Sequence, residues 1–232
     1  KIRQYMLEFA VMPSMRFLWS AGPAAEKDNT VIYNCSFAKL NCVEAFAECL
    51  HILMCGTGFG FSVEEDEVSK LPSIPEIKSG KDIARVIIED SREGWADSVK
   101  TLMTSLYEGQ NLYFDYSQLR PEGARLSTMG GRSSGPQPLI KLHDFIRETM
   151  HNAQGRKLTS LECHDIANQI AEIVVAGGVR RSSQISLSDL NDEDMRHAKD
   201  WPFPIRRAMA NNSAIYREKP TAADFLVEWG VL

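Results

Sequence analysis

Between residues 43 and 54 the apolar side chains fall at Phe46, Ala47, Leu50, Leu53 and Met54, the spacing of one helix face. Asn41 with Glu44 three residues on reads as a capping box before this helix, and Gly56 as its left-handed stop. The same period predicts a helix over 91–107, with Asp90 as cap, Glu93 behind it, and Trp95, Val99, Leu102, Met103 and Leu106 facing the core. Further helices are predicted at 81–89 (Ile83, Val86, Ile87), 139–153 and 162–176 (Ile166, Ile170, Ile173, Val174), with shorter ones at 191–199 and at 221–229 behind Thr221. Short apolar runs predict strands at 31–33, 59–63 and 184–187. "GTGFG" (56–60) reads as a glycine-rich turn and "EEDE" (64–67) as a solvated acidic turn. Residues 69–80, with Pro72, Pro75 and Gly80, form a loop, and 108–138 are irregular and long enough to carry function. Strands separated by helices predict an α/β fold with a helix-rich middle.

Composition changes this picture little. The 232 residues are 44% hydrophobic and 25% charged, enough apolar material for one large domain or two small ones. A net charge of -5 gives no bulk attraction for a nucleic-acid backbone, so no nucleic-acid partner is expected. No apolar run approaches the roughly 20 residues that span a bilayer, so no membrane partner is expected either. The N-terminal stretch carries Glu8 and lacks a small-residue cleavage site, which makes it a poor signal peptide. Five cysteines, odd in number and sparse, point to reduced thiols and a cytoplasmic location. The chain opens on Lys1 and closes on "FLVEWGVL", inside an amphipathic pattern, which points to a piece of a longer protein.

The chemistry-bearing positions are few. Cys35, beside Asn34 at the end of the 31–33 run, reads either as a small buried plug or as a redox thiol at the mouth of a sheet. Cys49, His51, Cys55, Cys163 and His164 could be gathered around zinc, but paired Cys-x₂₋₄-Cys spacing is missing, so no metal is assigned. The alternating glycines of "GTGFG" let backbone approach a ligand, but they precede a strand, the reverse of a dinucleotide fingerprint. "GGVRRSSQ" (177–184) combines a permissive hinge, Gly177 and Gly178, with Val179 and the donors Arg180, Arg181, Ser182, Ser183 and Gln184. It suits an anionic ligand or, equally, a helix C-cap with solvated arginines. "GGRSSGPQP" (130–138) has similar chemistry with one arginine and reads as a surface loop. His143, His151, His164 and His197 show no spacing that pairs them with a nucleophile.

Taken in order, "MPSMRFLWSAGPA", "YNCSF", "ILMCGTGFGFSV", "DSREGWADSV", "DYSQLRPEGARL", "GGRSSGPQPL", "GRKLTSLECHDI" and "VVAGGVRRSSQISLSDL" resemble the adenosylcobalamin-dependent (class II) ribonucleotide reductases, in particular the monomeric ribonucleoside-triphosphate reductases of lactobacillus type. The resemblance runs from about residue 10 to the end and implies part of a ten-stranded α/β barrel. It divides the chain into a first barrel segment (1–63), a helix-rich inserted effector region (64–176), and a specificity loop with the next barrel segment (177–232). It implies reduction of ribonucleotides to 2′-deoxyribonucleotides by a thiyl-radical mechanism. Adenosylcobalamin would generate the radical, and thioredoxin or a similar dithiol would reset the reducing disulfide. The resemblance makes Cys35 one of the two reducing cysteines, Asn34, Ser36 and Gly58 substrate contacts, and 177–184 the loop between a deoxynucleoside triphosphate effector and the ribonucleoside triphosphate substrate.

Two departures accompany it. Many relatives carry Asp about six residues after the reducing cysteine, where this chain has Asn41 and Cys42. The finger-loop Asn-x-Cys-x-Glu motif, the second reducing cysteine, the main cobalamin-binding part and the C-terminal dithiol are absent, so a complementary C-terminal half is expected and the chain alone is expected to be inactive. The alternatives are a standalone deoxynucleotide-binding regulatory module and half of a reductase of another class.

Overall fold

The computed structural model describes residues 1–78, 85–126, 132–176 and 183–230. Three short helices, α1 (Ile2–Leu7), α2 (Met15–Ser20) and α3 (Pro23–Lys27), lead into a 3-10 turn, Asn29–Ile32. Strand β1 (Cys35–Lys39), helix α4 (Val43–Met54) and strand β2 (Gly58–Ser62) follow, and then α5 (Glu65–Val68), β3 (Arg85–Ile87), α6 (Arg92–Tyr107) and β4 (Tyr113–Asp115). Two long helices, α7 (Gln137–Asn152) and α8 (Ser160–Ala176), precede β5 (Gln184–Asp189) and α9 (Glu193–Arg196). A second 3-10 turn (Ile205–Met209), β6 (Ala210–Ile215) and α10 (Ala222–Trp229) complete the described chain.

The fold is α/β, as expected. Strands β1, β2, β5 and β6 form one sheet in that order, every pair parallel, and β3 pairs with β4 in a separate parallel ribbon. The four-stranded sheet is open, so these residues do not close a barrel by themselves. One of its faces packs on helices: Phe59 and Phe61 of β2 join Phe46 and Leu50 of α4, Leu102 and Met103 of α6, Ile146 of α7 and Ile166 and Ile170 of α8 in a single core. Burying a side chain of this size contributes roughly 1.5–3 kcal/mol. Among the described residues the other face is uncovered, with Phe37 and Ile185 about half exposed on either side of Gly60. Parallel sheets are normally covered on both faces. Strand β5 makes this plain, because it turns Gln184, Ser186 and Ser188 inward and Ile185 outward.

Several local expectations give way. The run 31–33 is not a strand: Asp28 caps a 3-10 turn by accepting the Thr30 N–H at 3.0 Å, and only Val31 is buried. The strand begins two residues after that run, at Cys35. Helix α4 has the expected bounds but is capped from Cys42 with no side-chain bond, because the Asn41 amide donates to Glu67 at 2.9 Å instead. Ser91, not Asp90, caps α6, accepting from the Gly94 N–H. Gly58 and Gly60 lie within β2, not in a turn before it. "EEDE" is partly a helix, in which Glu67 is buried between Lys39 and Lys70. Residues 85–87 of the expected 81–89 helix form β3, and their partner β4 falls in the stretch read as irregular. Pairing with a distant strand overrides local periodicity over so few residues. Strand β6 and helices α1 to α3 carry too little regular patterning to be anticipated.

Candidate functional site

Cys35 is presented by two chain segments stitched together. Residues 30–34 approach 57–58 through the buried Thr57, whose hydroxyl donates to the carbonyl of Tyr33 at 2.8 Å with that of Thr30 at 3.0 Å. The Gly58 N–H donates to the Asn34 carbonyl at 2.9 Å. Arg16 steadies the preceding turn by donating to the Gly56 carbonyl at 2.7 Å. Gly56 there has φ 76°, a left-handed conformation that glycine adopts at no cost. Cys35 then starts β1 directly across from Gly58, and the Ser36 hydroxyl donates to the Gly58 carbonyl at 2.9 Å.

On the far side of Gly58 the chain re-enters at Ser183, whose carbonyl accepts the Phe59 N–H at 3.0 Å. A Cβ on Gly58 would stand 3.0 Å from the Ser183 hydroxyl and 3.4 Å from the Asn34 carbonyl. Glycine therefore lets three segments meet without displacing the Ser183 side chain. Cys35, Gly58 and Ser183 line up along the amino-terminal edge of the sheet, with Asn34 and Cys35 exposed and Ser36 half-buried. That corrects the expectation of a sheet mouth of the usual α/β kind, which lies at the carboxyl ends of the strands.

The structure thus brings together Asn34, Cys35, Ser36, Gly58 and Ser183. It takes Gln184 the other way: this side chain is buried and donates to the Ala167 carbonyl at 3.1 Å. Gly177, Gly178, Val179, Arg180, Arg181 and Ser182 lie outside the described residues.

All five cysteines are free, but only Cys35 and Cys42 reach solvent. Burial pushes the thiols of Cys49 and Cys163 far up, and that of Cys55 up to about 12, so none of these three is a ready nucleophile or reductant. The zinc set drawn from spacing does not assemble: Cys49 and Cys163 are core, and His164 bonds Asn168 and Asn212. Only His51 and Cys55 of that set come together, and with Asp28, which spacing missed. Their i,i+4 relation at the end of α4 was the available signal.

Other polar residues are structural. Glu67 is held at about 2 by hydrogen bonds from Lys39, Lys70 and Asn41, so Asn41 is committed to an internal partner. Asp165 ties α8 to the second 3-10 turn: burial works to raise its pKa, but a two-bonded Arg207 (2.7 and 2.8 Å) and Arg206 hold it well below the carboxylate range. Two clefts, of about 440 and 370 Å³, lie elsewhere. One runs between α7, α8 and the second 3-10 turn beside Arg206, and the other beside Asp189 and Asp192. Neither borders Cys35, and neither offers a cradle for a corrin.

Comparison with known proteins shows what the chain is similar to. Residues 65–150 match the family model described as "B12-dependent ribonucleotide reductase, insertion domain". The adenosylcobalamin-dependent ribonucleoside-triphosphate reductase of Euglena gracilis is 30% identical over 223 residues, covering 91% of this chain and 30% of that relative. Over most of its length the chain is similar to B12-dependent ribonucleotide reductases, and its middle matches their insertion domain. A reductase of the same name from Lactobacillus delbrueckii subsp. bulgaricus is 32% identical over 198 residues, covering 70% of this chain and 27% of that protein. The fold agrees with that of a solved B12-dependent (class II) ribonucleotide reductase, with TM-score 0.78 and 24% identity over 91% of this chain and 37% of that one. The chain spans about a third of the length of the curated relatives it matches.

Proposed function

We propose that this chain is part of a ribonucleoside-triphosphate reductase and that Cys35 is one of the two thiols that reduce the substrate. The observation that carries this reading is the meeting of an exposed thiol, a glycine backbone and two short polar side chains, Asn34 and Ser36, on one sheet edge in a chain similar to these reductases. In the proposed reaction the ribose 2′-hydroxyl leaves as water. The two thiols give up two electrons and two protons and close into a disulfide, and a dithiol such as thioredoxin reopens it. Adenosylcobalamin, bound mainly by other parts of the protein, supplies the radical that starts the cycle. Cys35 suits the reducing role because it is exposed, unlike Cys49, Cys55 and Cys163. Gly58 lets the nucleotide approach the backbone closely, as no Cβ stands between it and β2.

In the same reading residues 64–176 form the inserted effector region and 177–184 the specificity loop. Ser183 supports it, since a shift of the loop's end bears directly on Gly58 across a gap in which a methyl group would already be tight. A deoxynucleoside triphosphate effector could then bias the platform on which the substrate lies. The test is dithiol-driven reduction of ribonucleoside triphosphates by the complete reductase. Cys35→Ser is expected to abolish multiple turnover while the melting curve stays unchanged; sustained turnover in that variant would refute the role.

A further inference from the structure

Asp28, His51 and Cys55 converge from two chain segments. The His51 Nε2 and the Cys55 Sγ each lie 3.2 Å from the Asp28 Oδ2, and Sγ and Nε2 are 3.7 Å apart. We propose that these three side chains form a binding site for a divalent cation of the zinc type, with a fourth position open. Atoms bonded to one tetrahedral zinc stand about 3.3–3.6 Å apart, given bonds of about 2.0 Å to N and O and about 2.3 Å to S. The observed edges, 3.2, 3.2 and 3.7 Å, come within about 0.3 Å of these, and a point about 2.1 Å from all three atoms lies just out of their plane, so small shifts complete the geometry.

The donor set suits a borderline-soft ion: one thiolate, one imidazole and one carboxylate. Cys55 is fully buried, and Asp28 and His51 are largely so. The other carboxylate oxygen of Asp28 is fixed by the Thr30 N–H, which orients the ligand as an outer-shell bond does. Arg92 donates to the Cys55 sulfur at 2.9 Å and stands 3.5 Å from Asp28. It can keep its bond to a metal-bound thiolate. The cation displaces the thiol proton, which now points at Asp28, so binding releases one proton.

The competing reading is an ion-pair cluster centred on Arg92. It explains the Arg92 contacts but gives no reason for His51 to present the same nitrogen to both Asp28 and Cys55. A bound ion would also have a consequence in the fold. Asp28 caps the 3-10 turn that leads to Asn34 and Cys35, while Cys55 precedes the Gly56 turn that leads to Gly58. One ion would clamp together the two segments that present the sheet-edge site.

The test needs no substrate. The purified chain is stripped with a chelator and titrated with zinc in competition with a chromophoric chelator, and separately with cobalt(II). One equivalent per chain is expected, with thiolate-to-cobalt absorption. Cys55→Ser should lose that absorption, Asp28→Ala should bind about tenfold or more weakly, and Cys42→Ser should match the parent. Asp28→Cys keeps a ligand and adds a second thiolate, so its absorption should rise, whereas an ion pair with Arg92 would not survive that change. Absence of stoichiometric zinc and cobalt binding by the parent chain, or absorption that persists in Cys55→Ser, would overturn the site.

Discussion

His143 offers a test of how burial sets stability. Its ring on α7 is fully buried, its centroid 4.6 Å from that of the Phe114 ring and tilted to it by 33°. The Ser98 hydroxyl donates its only proton to the Trp95 carbonyl at 2.7 Å, so the His143 Nε2–H donates to Ser98 at 3.0 Å. Nδ1 is then the acceptor for the Tyr116 hydroxyl at 2.8 Å. Both nitrogens are satisfied by a neutral ring, and a second proton would bury a charge near Arg147. Burial first, and then Arg147, lowers the pKa of His143 to about 3. In the unfolded chain it is near 6.5. Above pH 6.5 the ring is neutral in both states and contributes nothing to the pH dependence. Below it the unfolded state takes up a proton that the native state refuses, so stability falls by about 1.4 kcal/mol per pH unit until the folded pKa is reached. Between about pH 6.5 and 5, before the carboxylates titrate, the loss is roughly 2 kcal/mol, a sizeable share of a typical 5–15 kcal/mol. Urea denaturation at stepped pH measures it. His143→Gln keeps a donor and an acceptor but cannot charge, so it should cost about 1 kcal/mol at neutral pH and flatten the slope. Equal slopes in parent and variant would show that His143 titrates normally and that this account of the network is wrong.

Gly94→Ala should destabilise the fold by about 1–3 kcal/mol in chemical denaturation despite alanine's better helix propensity, because its Cβ would meet the Glu89 carbonyl oxygen at 2.4 Å. A thiol reagent should label Cys35 and Cys42 rapidly in the native chain and Cys49, Cys55 and Cys163 only on unfolding; mass spectrometry of labelled peptides reads this directly. Asp165→Asn should cost about 2–4 kcal/mol in the same denaturation assay, since Arg206 and Arg207 lose the carboxylate that joins them to α8.

The long amphipathic helices were legible because their signal is repeated. Over α4, α6, α7 and α8 the apolar stripe recurs several times, and neighbouring residues override it only at the ends, as Ser91 and Cys42 do at the N-caps. Short strands carry no such redundancy. Three-residue β3 and β4 exist because each finds the other, and Val31 is apolar in a 3-10 turn for the same reason that it would be in a strand, to be buried. Residue chemistry and motif order pointed to the family, and with it to Cys35. Only the tertiary structure set Cys35 against Gly58 and Ser183, turned Gln184 inward, and brought Asp28 to His51 and Cys55. Gly58 lies 23 residues from Cys35 in the chain, and Ser183 lies 148 from it. Local propensity reaches about one helical turn, and everything beyond that distance is decided by which faces the chain can bury together.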